Sequence, residues 1–579
     1  MHSIRLKSTS NRIPFASWSW QPLIILALTL GALHTWVAIS SHSMNADGIS
    51  YLDIGDAYFR GDWENAINPV WSPLYSWVLG LVLFIFRPSM SWEFPLVHIV
   101  NLLIYLVALA SVSYFWHQVK LYLQIRREGE RNRLVMPEWA LNSLGILLFT
   151  WVSLTLIEIW SVTPDMLMAA LVYFAAALVL RMRSSALNWQ FYVLFGLVLG
   201  LGYLTKTIML PTGLLFLMIS LFSQGNIRKG APRVLLSLAI FILVSGPFIA
   251  AISRKAGHFT FGESGSVTYM RYVNGISYPH WQGEPPGYGS PVHPSRKILA
   301  EPPIYEFATP IGGTYPITFN PYYWYEGVQL RYGLNETIRA FFSNSFVYFD
   351  LFTRQLGPVL GVVLLLYLVA RRKSFKFPDT IRSWSLALSA IMVFGLYSLV
   401  YVEGRYIAVF IVLLFADLLA NLTLPQGEAY KKLITSASLV MVIFLLGSLF
   451  VYNAEGYARL GSQPANRAQV TPPPSWPGEV ARELENLGVS SGDGVGVIGY
   501  GFDSFWARLA RVKIVAEMFE WEADPFYLGD SEVQSRVVLA FTNAGASAIV
   551  AENVPSYASL PGWRQVGETN YHIYLIGDP

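Results

Sequence analysis

Apolar runs long enough, or nearly long enough, to cross the roughly 30 Å hydrocarbon layer of a bilayer recur along this chain and leave it one class of fold. They are Pro22 to Ser40, Phe94 to Trp116, Trp139 to Ile157, Met166 to Leu180, Trp189 to Leu204, Ile208 to Phe222, Val234 to Ile252, Leu351 to Ala370, Trp384 to Val402, Tyr406 to Leu424 and Leu433 to Tyr452. With 54% of 579 residues hydrophobic and only 13% charged, no water-soluble core could absorb that surface. The expected fold is an α-helical polytopic membrane protein with about 11 transmembrane helices. The chain has no cysteine, which removes disulfides, thiolate zinc sites and thiol nucleophiles. Its net charge of +3 comes without a basic block, so nucleic acid is not an expected partner.

One further run, Leu74 to Phe86, fixes the parity of the others. At roughly a dozen residues it is short for a span and suits a juxtamembrane or re-entrant helix. If it does not cross, five basic clusters share one side: Arg126 to Arg133, Arg181 and Arg183, Arg228 to Arg233, Arg371 to Lys373, and Lys431 with Lys432. The positive-inside rule makes that side the cytoplasm. Arg5, Lys7 and Arg12 keep the N-terminus there as well. A cleaved signal peptide is the alternative, but the first run is longer than a typical h-region and no small-residue cleavage site stands out. The expectation is a multi-pass plasma (inner) membrane protein, N-terminus inside and C-terminal region outside.

The large polar pieces then lie outside: His42 to Met90, Ser253 to Asp350, and everything after Asn453. In the first, Asp47, Asp53, Asp56, Asp62 and Glu64 are interspersed with Trp63, Trp71, Tyr75 and Trp77. That composition suits an active-site loop on a bilayer surface, and equally a solvated loop with an aromatic belt. Asp53, Asp56, Asp62 and Glu64 read mainly as caps and solvated charge, with Asp53 and Asp56 sharing a helix face. No Walker A or G-x-G-x-x-G segment lies on the cytoplasmic side, so nucleotide-driven transport and direct use of a nucleotide sugar lose support. Chemistry outside needs a donor already activated in the membrane, which a lipid-linked substrate provides.

Three further positions each carry two readings. Glu158 closes one span and Asp165, after Pro164, opens the next. Asp165 is favoured there by the helix dipole, yet an acid at membrane depth is costly unless it is used. Lys206, between two apolar runs, is a snorkelling anchor or a contact for a lipid phosphate. Arg405 has the same two readings, with Glu403 near enough to pair with it.

The segment ADGISYLDIGDAYFRGDWENAINPVWSPLYSWVLGL resembles the first extracytoplasmic loop of GT-C class integral membrane glycosyltransferases. These include the lipid A aminoarabinose transferase, the protein O-mannosyltransferases and bacterial relatives. The shared features are Asp47 soon after the first span, Tyr51 four residues on, Gly61-Asp62-Trp63, and Pro73-Leu74-Tyr75 opening a helix. Thr-Pro-Asp ending at Asp165, Leu-Thr-Lys ending at Lys206, and Gly404-Arg405-Tyr406 follow in the family's order, between Pro22 and Leu424. Ser72 departs from the aminoarabinose-transferase-like members, which carry a Lys just before that Pro.

The resemblance implies a polyprenyl-phosphate-linked sugar donor and transfer, usually with inversion, to a hydroxyl or amine of a glycan, lipid or protein acceptor. It makes Asp47 the candidate base. Lys206 and Arg405 become the cations for the leaving phosphate, with Arg254, Lys255 and Arg271 as further candidates. Tyr51 and Glu158 join the substrate-binding group. Asp165 orients the acceptor or, with Asp47, holds Mg²⁺ or Mn²⁺.

The outer loop Ser253 to Asp350 is too aromatic for a disordered linker. Trp281, Tyr323 and Trp324 suit sugar faces or the headgroup layer, and simply holding the loop onto the membrane is the favoured reading over direct sugar contact. His258, His280 and His293 are too scattered for a metal site. Residues 1–460 read as the membrane module, 461–477 as a Pro-rich linker, and 478–579 as a small α/β domain with strands at Val495 to Tyr500, Lys513 to Met518, Ser547 to Asn553 and His572 to Gly577. The competing functions are a transporter or flippase of an envelope precursor, and a non-catalytic scaffold that binds a lipid-linked sugar.

Overall fold

The computed structural model describes residues 21–129, 133–184, 188–223, 227–276, 280–292, 296–307, 311–321, 325–370, 385–461 and 477–577. A helix stands at each of the expected apolar runs. In chain order these begin with α1 (Gln21–Ser40), α2 (Ala46–Arg60), the single-turn α3 (Trp63–Ala66), α4 (Pro73–Phe86) and α5 (Met90–Gly129). Next come α6 (Glu138–Val152), α7 (Asp165–Ser184), α8 (Trp189–Thr205), α9 (Met209–Ser223), α10 (Ile227–Ala256) and α11 (Ser264–Tyr272). Leu334–Asp350, Gly357–Val369, Ser385–Ser398, Gly404–Asn421 and Glu428–Gly461 complete the bundle. Among the described residues seven helices are long and apolar enough to span a bilayer, or eight if Leu334–Gln355 and Gly357–Val369, bent by 84°, form one span. The chain is a multi-pass membrane protein.

The short run is resolved as α4, 14 residues long, or about 21 Å at 1.5 Å per residue, well below a bilayer's apolar thickness. Pro73 opens it at the first turn, where its missing N–H is harmless. Phe84, Ile85 and Phe86 remain exposed on it, while its other face lies against α2. The two helices cross at backbone contact: a Cβ on Gly55 would stand 2.7 Å from the Ser76 carbonyl, and one on Gly80 would stand 2.8 Å from the Gly55 backbone. Only glycine fits at that crossing, so α2 is seated firmly on α4.

Beyond the bundle lies a seven-stranded sheet in the order β2-β3-β6-β5-β7-β9-β8. Its strands are β2 (Arg296–Leu299), β3 (Ile304–Glu306), β5 (Gly494–Gly499), β6 (Lys513–Phe519), β7 (Ala548–Ala551), β8 (Arg564–Gln565) and β9 (His572–Leu575). A separate two-stranded pair joins β1 (Arg133–Val135) to β4 (Thr423–Pro425). Strands β6, β5 and β7 run parallel, and their near-continuous apolar sequences are buried as such strands require. The expected strands are therefore present, but the sheet is not built from 478–579 alone. β2 and β3 come from the 253–350 loop, and β3 pairs antiparallel with β6 through Tyr305 and Glu517. This covers backbone groups that β6 would otherwise leave open.

Two other expectations change. Trp281 is buried with Met270, Ile276 and Tyr325 in a small core of the loop itself, so it faces neither sugar nor headgroups; Tyr323, Trp324, His293 and most of the Pro-rich linker fall outside the described residues. Asp62 does cap α3, but Asp53 and Asp56 are not solvated charge. Arg508, only 3% exposed, reaches Asp53, Asp56 and Glu93 at 2.7 Å each. Arg511 adds a bond to Asp56 at 2.7 Å and one to Glu93. The backbone N–H and hydroxyl of Thr314 complete the shell of Asp53. The α/β domain is thus locked onto α2 and the first turn of α5.

Within that domain Glu552 is buried beneath Ser504, Trp506 and the Tyr500 backbone, all of which donate to it. Burial outweighs these donors and pushes its carboxyl up to about 7. A carboxyl raised on folding stabilises below its unfolded value and loses that contribution as pH climbs towards the folded one. The thermal stability of the full-length protein is expected to fall between pH 5 and pH 8 by on the order of 3 kcal/mol from this group. Glu552→Gln should flatten that slope, and an unchanged slope would assign it to other groups.

Candidate active site

Four charged side chains reach one cavity from the ends of four helices. Asp47 lies in the first turn of α2, where the helix dipole favours a carboxylate, and Tyr51 follows one turn later on the same face. Asp165 opens α7. Lys206 ends α8, its backbone N–H closing on Gly202. Arg405 sits in the first turn of Gly404–Asn421. The cavity, about 280 Å³, is lined by these five residues together with Trp71, Ser72, Arg271, Tyr272, Tyr401, Glu403, Tyr406 and Phe502.

The charges form a chain. Lys206 donates to Asp165 Oδ1. The Arg405 guanidinium lies 3.9 Å from Asp165 Oδ2, 3.3 Å from Asp47 Oδ2 and 2.9 Å from Glu403 Oε1. Below it the Tyr406 ring faces the Lys206 ammonium at 3.9 Å, a cation–π contact that strengthens out of water. Burial pulls the Lys206 ammonium below its ordinary value while Asp165 opposes that pull. Burial pushes the Tyr51 phenol well above its ordinary value, and the charges of Asp47 and Asp165 push it further, so Tyr51 stays a neutral hydroxyl. Its ring packs edge-on against Trp71 and Tyr75, at 5.0 and 5.1 Å.

The two aspartates differ in access. Asp165 is 1% exposed and committed to the cations, whereas Asp47 is 35% exposed. A group that must meet a substrate proton has to be open to the cavity, and Asp47 is. Asp165 instead holds Lys206 and Arg405 in place.

The remaining sequence candidates divide. Arg271 lines the cavity from α11, its guanidinium 5.1 Å from the Tyr272 ring centroid. Arg254 is exposed near the end of α10 and does not line the cavity. Lys255 donates to the Glu64 carbonyl. Glu158 stands outside the lining, at φ 59° after a π-helical turn over Ser153–Ile157. Burial raises its carboxyl, helped by Glu403 and opposed by Arg405.

Asp47 and Asp165 each face side-chain cations. Asp47 faces Arg405, Asp165 faces Arg405 and Lys206, and among the described residues no group of three or more His, Asp or Glu side chains is arranged to hold a metal ion.

The cavity walls were less legible than its charges. Tyr272 and Tyr401 stack at 3.9 Å and 11°, and Trp71 is pinned by donating to the Thr318 carbonyl at 3.0 Å. Phe502 arrives from the loop after β5, and no signal in the sequence connects it to α2.

No protein-family model and no curated protein matches the chain. Among solved structures, ArnT from Cupriavidus metallidurans in the apo state matches at 12% identity over 96% of this chain and 97% of that one, with a TM-score of 0.52. ArnT bound to undecaprenyl phosphate matches at 12% identity over 96% and 98%, with a TM-score of 0.53. An oligosaccharyltransferase from Archaeoglobus fulgidus, tethered with an acceptor peptide, matches at 11% identity over 93% of this chain and 69% of that one, with a TM-score of 0.42. The end-to-end likeness to ArnT concerns the fold: the chain has the GT-C-like membrane architecture that its motifs led us to expect.

Proposed function

We propose that the protein transfers a sugar from a polyprenyl-phosphate-linked donor to an acceptor hydroxyl or amine on the outer side of the plasma (inner) membrane, with inversion at the anomeric carbon. The observation that carries this reading is the convergence of an open carboxylate, Asp47, with two cations held by a buried one, Asp165, on a single cavity at helix ends. Arg181 and Arg183 sit in the last turn of α7, the helix that Asp165 opens at its other end, and under the positive-inside rule this supports a cavity outside the cytoplasm.

In this reading Asp47 takes the proton of the acceptor as its oxygen or nitrogen attacks the anomeric carbon. The bond from that carbon to the phosphate oxygen breaks, and the electron pair leaves with the lipid phosphate. Lys206 and Arg405 receive the charge that develops there. Arg405 presents a planar fork that matches a phosphate, and Lys206 a compact point charge. The match to a structure bound to undecaprenyl phosphate is consistent with a lipid-phosphate donor in a cavity of this kind.

Deleting the protein and profiling polyprenyl-phosphate sugars and envelope glycans by mass spectrometry tests the reading. One lipid-linked sugar should accumulate while one glycan mass disappears, and EDTA should leave transfer by the purified protein unchanged. An unaltered lipid-linked pool would sink the proposal.

A further inference from the structure

The three parallel strands β6, β5 and β7 end side by side at Phe519, Gly499 and Ala551. Open α/β sheets bind ligands outside the carboxyl ends of such strands, and here those ends carry an aromatic row. Phe519 and Trp521 stack at 4.4 Å and 17°. Tyr500 stands 5.6 Å from Trp521 and 5.0 Å from Phe502. Phe502 is itself a wall of the catalytic cavity, so the row runs from the cavity to the surface without a break. At its outer end Trp521 is 61% exposed. A large ring held flat by a partner and left in water is poorly explained by core packing.

Two exposed carboxylates, Asp503 and Glu520, rim the row. Flat rings offer apolar contact to the C–H face of a pyranose, and carboxylates accept strongly from its hydroxyls. The same carboxylates repel phosphate and uronate groups. We propose that this edge is the acceptor subsite, and that it binds a saccharide chain without negative charge whose end enters the cavity past Phe502. The inference rests on the transferase reading and adds the acceptor's chemical class to it.

The test uses the full-length protein in phosphatidylcholine nanodiscs and saturation-transfer NMR with three probes: maltohexaose, a glucosamine hexamer and a galacturonate hexamer. The first two should give binding signals and the third none. Trp521→Ala should weaken binding about tenfold, the scale of a lost aromatic anchor, and Trp521→Phe should restore part of it. Trp521 is exposed, so neither change should affect folding. Joint Asp503→Asn and Glu520→Gln substitution keeps the rings and should admit galacturonate.

Equal binding of galacturonate by the unaltered protein, indifference to Trp521→Ala, or no saccharide bound would each overturn the proposal. So would preferential binding of a Ser/Thr-rich peptide over the hexamers. Saccharide binding that persists in Asp47→Asn supports the subsite. If deletion of the protein leaves the lipid-linked pool unaltered while that binding remains, the transferase reading fails alone.

Discussion

Asp47→Asn is expected to lower transfer by about 10²- to 10⁴-fold, the usual contribution of a general base, with the lipid-linked sugar accumulating at normal protein level. The substitution is nearly isosteric. An asparagine oxygen can still accept from Arg405, which now stands 3.3 Å away, so the cavity keeps its shape while the basic oxygen is lost. Asp47 also carries no structural burden like that of Asp165, being far more exposed. The fall should therefore appear in kcat, with KM little changed, because a proton is removed only as the new bond forms. A rate near that of the unaltered protein, with correct folding, would take the base away from this residue.

The second large effect is expected at Arg508, more than four hundred residues further along the chain. Its guanidinium is the centre of a buried cluster in which Asp53, Asp56 and Glu93 all accept from it. Arg508→Met leaves Asp56 and Glu93 with Arg511 and Asp53 with only the Thr314 donors, and removing one partner from a buried charge network costs about 3–5 kcal/mol. Burial already pushes the Asp53 carboxyl up against the pull of Arg508, so in the variant Asp53 should take up a proton rather than stay charged. Arg508→Lys should fare little better, since one ammonium cannot serve three carboxylates in separate directions. The measurement is limited proteolysis of the full-length protein, with cleavage between the bundle and the α/β domain expected to accelerate. Adding Asp53→Asn and Glu93→Gln should restore part of the resistance. Unchanged proteolysis would show that the domain is held mainly elsewhere.

These two residues also show how far the sequence could be read. Asp47, Asp165, Lys206 and Arg405 were legible because each sits at a helix end, where a charge in an apolar sequence stands out and where Pro164 or Gly404 marks the boundary. Their meeting in one cavity followed from their shared side of the membrane. Arg508 was not legible, because its partners lie in other elements and the motif around it, Phe505 to Leu509, is an ordinary short helix. The reading of Asp53 and Asp56 as solvated failed for the same reason: their shared helix face was right, but nothing local tells what covers it. Trp281 misled through its type, since the physics that suits a ring to sugar suits it equally to a loop core. With 15% of the residues aromatic, the wall formed by Tyr272, Tyr401 and Phe502 had no contrast against its background.

The shared sheet also governs the order of biogenesis. β3 leaves the ribosome about two hundred residues before β6, its hydrogen-bonding neighbour, with several membrane helices still to be inserted between them. Until the last span is in place, the 253–350 loop carries an open strand edge. The domain can close only after that insertion, which makes a finished sheet a report that the whole bundle has been threaded, and makes the interval before it the time at which the chain most needs protection from pairing with the wrong strand.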